Sequence, residues 1–265
     1  MVTANIAAAK FSLDHKLPFL YRVHGTPDPK RVEELVTLLQ LVGVPCKEIV
    51  KPNPETQDFA AILDRVRGLP CETLVSQRLL RTMEKARYST EETGHFGLAL
   101  SDYSHYTSPI RRYPDLQIHR IIKDDLRGRL DKGGRIGKYS SILQHVAEQS
   151  SAMEQRAAEA EREAVKLKKA EYMLEHVGEE YDGVISGVTG WGFYVELPNT
   201  VEGLVHIMTL KDDYYNFDEE NYRLVGEQHG RVFRLGEPVR VRVRNAEPAN
   251  RTIDFTYVEK ETETE

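Results

Sequence analysis

Two adjacent arginines, Arg111 and Arg112, have a sequence context that suits the binding of an anion. They follow a Thr-Ser-Pro sequence, which predicts the start of a helix with Ser108 as its N-cap and proline in its first turn. A helix start presents unpaired N–H groups and a positive dipole end, so two cations there are costly unless an anion binds them. A guanidinium group can make two parallel hydrogen bonds to one phosphate. Phosphate binding and structural salt bridges, one of them with Asp115, explain the pattern equally well.

Aromatic and imidazole side chains are concentrated around the two arginines. Grooves that bind single-stranded RNA stack bases on aromatic faces beside cations. Packing in the core is the alternative role, and for any one ring it is the more frequent one. The rings in question are Tyr103, His105, Tyr106, Tyr113 and His119.

Residues 1–177 are expected to hold these side chains in a helix-rich, mixed α/β arrangement. Small residues favour a helix over 1–16, and the apolar run 17–24 favours a short buried strand. The spacing of apolar residues and the positions of proline and glycine predict further helices. These lie near 28–43, 55–67, 72–87 and 139–176.

At residue 178 the pattern changes from helical spacing to the alternation that is typical of strands. Five short strands separated by Gly and Pro predict a small closed barrel of the OB type. An aromatic and acidic insertion, 210–231, lies between the third and fourth strands. The chain is therefore predicted to be α+β, with a domain boundary near 178. The predicted strands are 181–188, 192–197, 203–208, 238–246 and 252–258.

The charge of the chain is unevenly distributed. The net charge is −6 and the pI is about 5.9, which at first argues against nucleic-acid binding. Salt, however, screens charges that are more than about 8–10 Å apart, so a bound phosphate interacts mainly with the charges near it. Basic residues cluster beside Arg111, in 120–138 and in 240–251, whereas acids concentrate in 148–180, 211–220 and 259–265. Local basic surfaces keep RNA binding compatible with an acidic chain.

Composition argues against two other classes of protein. Cys46 and Cys71 form no CxxC pair, so the sequence favours reduced thiols over a zinc site. No stretch approaches the roughly 18 apolar residues of a membrane helix, and no signal-peptide pattern opens the sequence. We expect a cytoplasmic, monomeric protein that does not bind membranes.

The string GHFGLAL…YSHYTSPIRRYPDLQIHR resembles the signature of the RNB exoribonucleases, the ribonuclease II and ribonuclease R group. LPFLYRVHGTPDP, LVSQRLLRTMEKARYS and EYMLEHVG extend the resemblance, which covers essentially the whole chain and favours the ribonuclease R branch. It implies that 1–177 is the C-terminal portion of an RNB catalytic domain. It also implies that 178–259 is an OB-fold RNA-binding domain of the ribosomal-protein type. The acidic composition of 260–265 predicts a disordered tail, in which the chain departs from the family.

The resemblance implies a hydrolase that releases nucleoside 5′-monophosphates from the 3′ end of RNA. Magnesium ions held by clustered aspartates serve that reaction in the family. Those aspartates precede the portion that this chain resembles, so we expect the magnesium ligands to lie outside it and the chain alone to be inactive. Arg111 matches the family residue that contacts the scissile phosphate, and Glu161 matches a glutamate that affects activity.

The resemblance also assigns residues to RNA binding. Phosphate would be bound in the barrel by Arg244 or Arg251. Trp191 lies between two glycines, which leave little bulk to bury it, and Phe193 alternates to the opposite, core-facing side. The remaining RNA-binding residues that we expect are Tyr106, Ser108, Arg112 and His119 in the first part, and Trp191, Tyr194 and His206 on the base-stacking face of the barrel.

A non-catalytic module that binds RNA or a protein is the alternative function. An acidic cluster upstream in the full-length gene would favour the enzyme over this module. The resemblance links the family to the ribosome, through rescue by transfer-messenger RNA and its small basic partner protein. The acidic insertion at 211–220 and the acidic tail would attract such a partner. A surface that keeps RNA away is the preferred interpretation of these acids.

Overall fold

A computed structural model describes residues 1–69, 71–219 and 221–259 of the chain. The predicted tail, 260–265, lies outside the described residues, as does Glu220 of the insertion. The chain divides into two compact units. Unit 1 comprises Met1–Arg67 and Val75–Ala158, and unit 2 comprises Gly68–Leu74 and Glu159–Glu265.

The predicted helices are present, and two short strands accompany them. Strand β1 (Tyr21–Val23) pairs antiparallel with β2 (Arg87–Ser89), so Arg87 lies in a strand and not at the end of the preceding helix as predicted. The helices are α1 (Val2–Asp14), α2 (Pro29–Leu41), α3 (Thr56–Val66), α4 (Glu72–Thr82), α5 (Tyr113–Leu126) and α6 (Arg135–Leu174).

Apolar faces of these elements form the core of unit 1. Leu20 before β1, Ile118 and Ile121 on α5, and Leu143 on α6 are almost completely buried in one cluster. Burying a side chain of this size contributes about 1.5–3 kcal/mol. The core therefore fixes the direction of α5, the helix that follows the paired arginines.

The start of α5 differs from the prediction. We expected Ser108 to cap a helix beginning at the next residue, but α5 begins at Tyr113, with Arg112 as its N-cap and Pro114 in its first turn. Both Pro109 and Pro114 satisfy the preference for proline at a helix start. The helix uses the second proline, and Asp115 beside it is fully buried and accepts hydrogen bonds from Ser108 and Arg112.

Five strands of unit 2 close into a barrel in the order β10-β5-β4-β3-β9. All neighbours are antiparallel except β10 and β5. These are the five predicted strands, and Phe193 is fully buried as predicted. Their bounds are β3 (Glu180–Thr189), β4 (Gly192–Glu196), β5 (Glu202–His206), β9 (Pro238–Glu247) and β10 (Thr252–Val258).

The insertion between β5 and β9 forms an antiparallel sheet that the sequence did not predict. Its strands are β6 (Tyr215–Asp218), β7 (Arg223–Gly226) and β8 (Val232–Arg234). The carboxylate of Asp213 accepts hydrogen bonds from the N–H groups of Tyr214, Gln228 and His229 at 2.7–3.0 Å. These bonds lower the pKa of Asp213, although its burial opposes them.

Several acidic side chains of the insertion have their hydrogen-bond or ion-pair partners within the insertion. The Asp213 side chain is fully buried, and Asp218 pairs with Arg223 at 2.8 Å. Asp212 accepts a hydrogen bond from the Tyr215 hydroxyl at 2.6 Å. The Asp213 carboxylate is therefore not exposed to a basic partner, and the attraction of such a partner to the insertion stays a prediction.

No helix within the described ranges combines the length and the apolar character that crossing a membrane requires.

Candidate nucleic-acid interface

Arg111 belongs to a tight turn that precedes α5. The N–H groups of Arg111 and Arg112 donate to the carbonyl oxygen of Ser108, at 3.3 and 3.0 Å. The N–H of Ser108 donates to Asp115 Oδ2 at 2.8 Å, which ties the turn to α5. The Arg111 side chain is exposed, and its guanidinium has no hydrogen bond or ion pair within the described residues. The turn thus presents one open cation.

Arg112 is neutralised inside unit 1. Its Nη2 donates to Asp115 Oδ2 at 2.7 Å, and Asp115 is fully buried, which confirms the predicted pairing with one of the two arginines. Among the described residues, Arg112 Nε, Asp115 Oδ1 and Thr107 Oγ1 are buried without a partner. Such atoms cost about 1–3 kcal/mol each unless water or a ligand satisfies them. The turn is therefore held in place by Asp115 and contains buried polar atoms that lack a partner in the described part of the chain.

Tyr106 and His119 form a stacked pair beside this turn. Their ring centroids are 4.2 Å apart with planes 10° from parallel. His119 Nε2 donates to the carbonyl oxygen of Tyr106 at 2.8 Å, and the N–H of Tyr106 donates to Asn5 Oδ1 at 3.0 Å. Each ring has one face covered by the other, and both rings are partly buried, Tyr106 against the core of unit 1. Only what remains exposed of their outer faces can stack on a base.

The other three rings of this segment differ in burial and in their partners. Tyr103 is buried and accepts a hydrogen bond from Asn5 Nδ2 at 3.0 Å, so it packs in the core. His105 Nδ1 is hydrogen-bonded to the Tyr88 hydroxyl at 3.0 Å. Tyr113, by contrast, is half exposed at the start of α5. For Tyr103 the core alternative is the correct one.

Two histidines of unit 1 are held in the neutral form. Burial, followed by the Arg112 and Arg22 guanidinium groups, lowers the pKa of His105 to about 4. Burial, followed by His24 and Arg22, lowers the pKa of His95 to about 4. Both imidazoles therefore remain uncharged at neutral pH in the folded chain.

We expect these two histidines to make the chain less stable in mild acid. The unfolded state takes up protons below about pH 6.5 while the folded state does not, so stability is lost as the pH falls towards the folded pKa. Between pH 7 and pH 5 the free energy of unfolding should fall by roughly 2 kcal/mol, after a discount for partial exposure. Urea unfolding followed by circular dichroism at both pH values measures this. Equal or greater stability at pH 5 would contradict it.

Trp191 lies in the turn between β3 and β4 of unit 2, with its indole exposed. The residue is 54% exposed, while its carbonyl oxygen accepts the N–H of Ile207 at 2.9 Å. Gly192 has φ +146°, and a Cβ there would lie 2.1 Å from the carbonyl oxygen of Val205. Only glycine fits this position, so β4 and β5 approach closely and hold the Trp191 backbone in place.

Tyr194 lies in a row of outward-facing side chains that crosses four strands. It pairs with Leu204 on β5, Leu204 pairs with Asp254 on β10, and Asp254 pairs with Asn245 on β9. None of the four is fully buried. Sequence reasoning identified only Tyr194, because cross-strand register cannot be read from one strand.

His206 ends β5 with a defined ring orientation. Its Nδ1 accepts the N–H of Met208 at 3.2 Å, so the proton of the neutral ring lies on Nε2. Gly192 is the partner of His206 across the strand pair and places no side chain beside it. His206 Nε2 is thus a hydrogen-bond donor next to the Trp191 turn.

The two phosphate-binding candidates of the barrel differ in their partners. Arg251 forms an ion pair with Glu163 on α6, and this contact and Lys166 lower the pKa of Glu163. Arg244 is exposed on β9 and has no ion pair within the described parts of the chain. Of these two arginines, Arg244 is the one that offers a phosphate an unpaired positive charge.

Glu161 is exposed on α6 in unit 2 and lines an open groove with Lys168, Tyr172 and Asn199. Across 1–69, 71–219 and 221–259, no three His, Cys, Asp or Glu side chains converge as metal ligands. The described residues therefore do not fit a magnesium cluster.

Two protein-family models match the chain. The RNB domain model matches residues 1–128, and the S1 RNA binding domain model matches residues 175–257.

Curated relatives extend this similarity over almost the whole chain. Ribonuclease R 1 of Lactococcus lactis is 42% identical over 261 residues, which cover 98% of this chain and 32% of that protein. Ribonuclease R of Aquifex aeolicus is 44% identical over 263 residues, covering 98% of this chain and 36% of that protein. The chain thus spans about a third of the length of these relatives.

A solved structure has the same fold. The apo form of Mycoplasma genitalium RNase R matches with a TM-score of 0.89 at 26% identity, covering 97% of this chain and 40% of that chain. The same protein in complex with ribose methylated single-stranded RNA matches equally, with a TM-score of 0.89.

Proposed function

We propose that this chain, which belongs to the RNB family and to its ribonuclease R branch, is the RNA-binding part of a 3′–5′ exoribonuclease. One observation carries the proposal: the Arg111 guanidinium is exposed and has no partner among the described residues. It lies on a turn that is fixed by hydrogen bonds to the fully buried Asp115. The related structure with single-stranded RNA supports it.

In the complete enzyme, Arg111 would contact the scissile phosphate. A positioned cation that stabilises developing charge contributes on the order of 2–4 kcal/mol to lowering a barrier. Magnesium would activate the attacking water and stabilise the leaving oxygen when bound. Since the described residues do not fit that ion, we assign this chain binding and positioning, with release of nucleoside 5′-monophosphates left to the whole protein. We keep the role of Glu161 as a prediction, since it rests on the resemblance alone.

RNA would also be bound by the barrel of unit 2. Trp191 and Tyr194 would stack on bases, His206 would donate a hydrogen bond from Nε2, and Arg244 would bind phosphate. Arg251 would support the barrel contacts indirectly, because it is ion-paired with Glu163. Arg112 and Ser108 would support the contact of Arg111 indirectly, because Arg112 is paired with Asp115 and the backbone of Ser108 is hydrogen-bonded within the turn. The outer faces of Tyr106 and His119 would provide stacking in unit 1.

A non-catalytic RNA-binding module is the second candidate. The lack of a metal-ligand cluster in the described residues is expected for such a module and equally for an enzyme whose magnesium ligands lie outside this chain. An upstream acidic cluster in the full-length gene would decide for the enzyme. Binding to the ribosome-rescue machinery, a monomeric state and a cytoplasmic location also stay predictions, as does the domain boundary near 178.

Replacing Arg111 by alanine should weaken the binding of single-stranded RNA about fourfold near physiological salt. It should also reduce the slope of log affinity against log salt by about 0.7, the contribution of one phosphate contact on a single strand. Arg111→Lys keeps the charge and should keep the slope, while it loses the two-pronged contact. Fluorescence anisotropy with labelled RNA at several salt concentrations measures both quantities. An Arg111→Ala chain with unchanged affinity and slope would refute the assignment.

A further inference from the structure

Residues 120–138 are unusually basic for this chain. They hold seven basic and three acidic side chains, whereas the net charge of the whole chain is −6. The segment covers the second half of α5, the connecting loop and the first turn of α6, all within unit 1. Six of the cations are exposed and have no ion pair within the described part of the chain. These six are named the cationic patch: Arg120, Lys123, Arg127, Arg129, Lys132 and Lys138.

Two of the three acids of this segment have their hydrogen-bond partners outside the cationic patch. Asp124 accepts hydrogen bonds from Arg135 at 2.7 Å and from the Tyr139 hydroxyl at 2.9 Å. Asp125 is paired with His15 Nδ1 at 2.8 Å. The patch therefore carries a strong local positive charge.

The backbone beneath the cationic patch is held in place. The N–H of Arg129 donates to the carbonyl oxygen of Asp124 at 2.9 Å, and the N–H of Lys132 donates to that of Arg129 at 3.1 Å. Leu130 is buried in the core of unit 1. The loop thus presents its cations from a defined position.

Stabilisation of helices does not explain the whole arrangement. Lys123 and Arg127 suit the negative end of the α5 dipole. Lys138, however, lies in the first turn of α6, near the positive end of that dipole, and that turn contains no acid. Like charges gathered at a cost to stability indicate an external anion.

We propose that the cationic patch binds the phosphate backbone of RNA, at a place distinct from the Arg111 turn. The choice of RNA as the partner rests on the proposed function. Helix α5 has fourteen residues, so its C-terminal end, which carries Arg127, lies about 21 Å from its start beside the Arg111 turn. Arg111 and the cations beyond this end therefore cannot contact the same phosphate. Residues 120–138 include no aromatic side chain for base stacking, so the contact is with charge and carries no sequence information.

Neutralising four of these cations tests the inference on the intact chain. The variant Lys123→Gln, Arg127→Gln, Arg129→Gln and Lys132→Gln changes exposed side chains without ion pairs in the described part of the chain. Its melting temperature should therefore stay within a few degrees of that of the wild type, the shift reflecting the lost interaction with the α5 dipole. The matched control is Lys30→Gln, Arg31→Gln, Arg81→Gln and Lys85→Gln, which removes the same charge from exposed positions elsewhere in unit 1. The probe is a labelled strand of about 30 nucleotides, longer than the ~4–16 nucleotides that one OB fold covers.

The patch variant should bind this RNA about 10-fold or more weakly near physiological salt. Its salt slope should fall by about 1.5–3, and adenine-rich and uracil-rich strands should be affected equally. The control should stay within about twofold of the wild type. If the patch variant and the control behave alike while Arg111→Ala still weakens binding, the inference fails and the proposed function stands; an acidic protein would then be the better partner for the patch. If the wild-type chain binds no RNA, both fail.

Discussion

Replacing Trp191 by alanine is expected to weaken the binding of single-stranded RNA by about 5- to 150-fold, the loss of roughly 1–3 kcal/mol of stacking on one base. The indole is exposed while its backbone is fixed between β4 and β5, so truncation removes a contact surface and leaves the barrel core intact. The salt slope should not change, because the side chain carries no charge. Anisotropy measured at several salt concentrations separates this effect from that of Arg111.

The matched variant for this prediction is Trp191→Phe, which keeps an aromatic face. It should retain most of the affinity that Trp191→Ala loses. Equal losses in the two variants would show that the ring does not act by stacking. Unchanged binding by Trp191→Ala would show that the barrel face does not stack on RNA bases.

Replacing Asp115 by asparagine should have a large effect on both stability and binding. Breaking a buried ion pair from one side costs about 3–5 kcal/mol, and the remaining exposure of Arg112 places the expected loss near the lower end. Without its anchor the turn from Ser108 to Arg112 loosens, so Arg111 is no longer held towards the phosphate. Urea unfolding and RNA anisotropy on the same preparation measure the two losses.

Asp58→Asn is the matched control. Like Asp115 on α5, Asp58 is the third residue of its helix, α3, where it accepts a backbone N–H and pairs with a cation, Lys51. It should lower stability without weakening RNA binding. In a double-mutant cycle, Asp115→Asn and Arg111→Ala should be non-additive for binding. Additive effects would mean that Asp115 stabilises unit 1 without positioning Arg111.

The barrel was predictable because its strands carry their own signal. Alternation of apolar and polar residues identified all five strands and the inward direction of Phe193. The insertion was not predictable, because Asp213 is bound by N–H groups at residues 228 and 229, far along the chain. An acidic and aromatic composition gives no sign of such a contact.

The candidate site was predictable in residue type and less so in geometry. Arg111 was expected from the resemblance to contact the scissile phosphate, and this stays a prediction. The helix start was misplaced, because two prolines offered equivalent signals and only the burial of Asp115 distinguishes them. Arg251 was expected to bind phosphate, but it pairs with Glu163, 88 residues earlier in the chain. Local sequence predicts which groups can bind an anion, whereas tertiary contacts determine which of them are already neutralised.

The most direct test of the central claim is to incubate the purified chain with 3′-labelled single-stranded RNA and Mg²⁺, and to follow both bound RNA and released label. We expect the RNA to be bound and to remain full-length, because the described residues hold no magnesium cluster. Progressive release of labelled mononucleotides by this chain alone, abolished by chelation of the metal, would contradict the claim that it binds RNA without hydrolysing it.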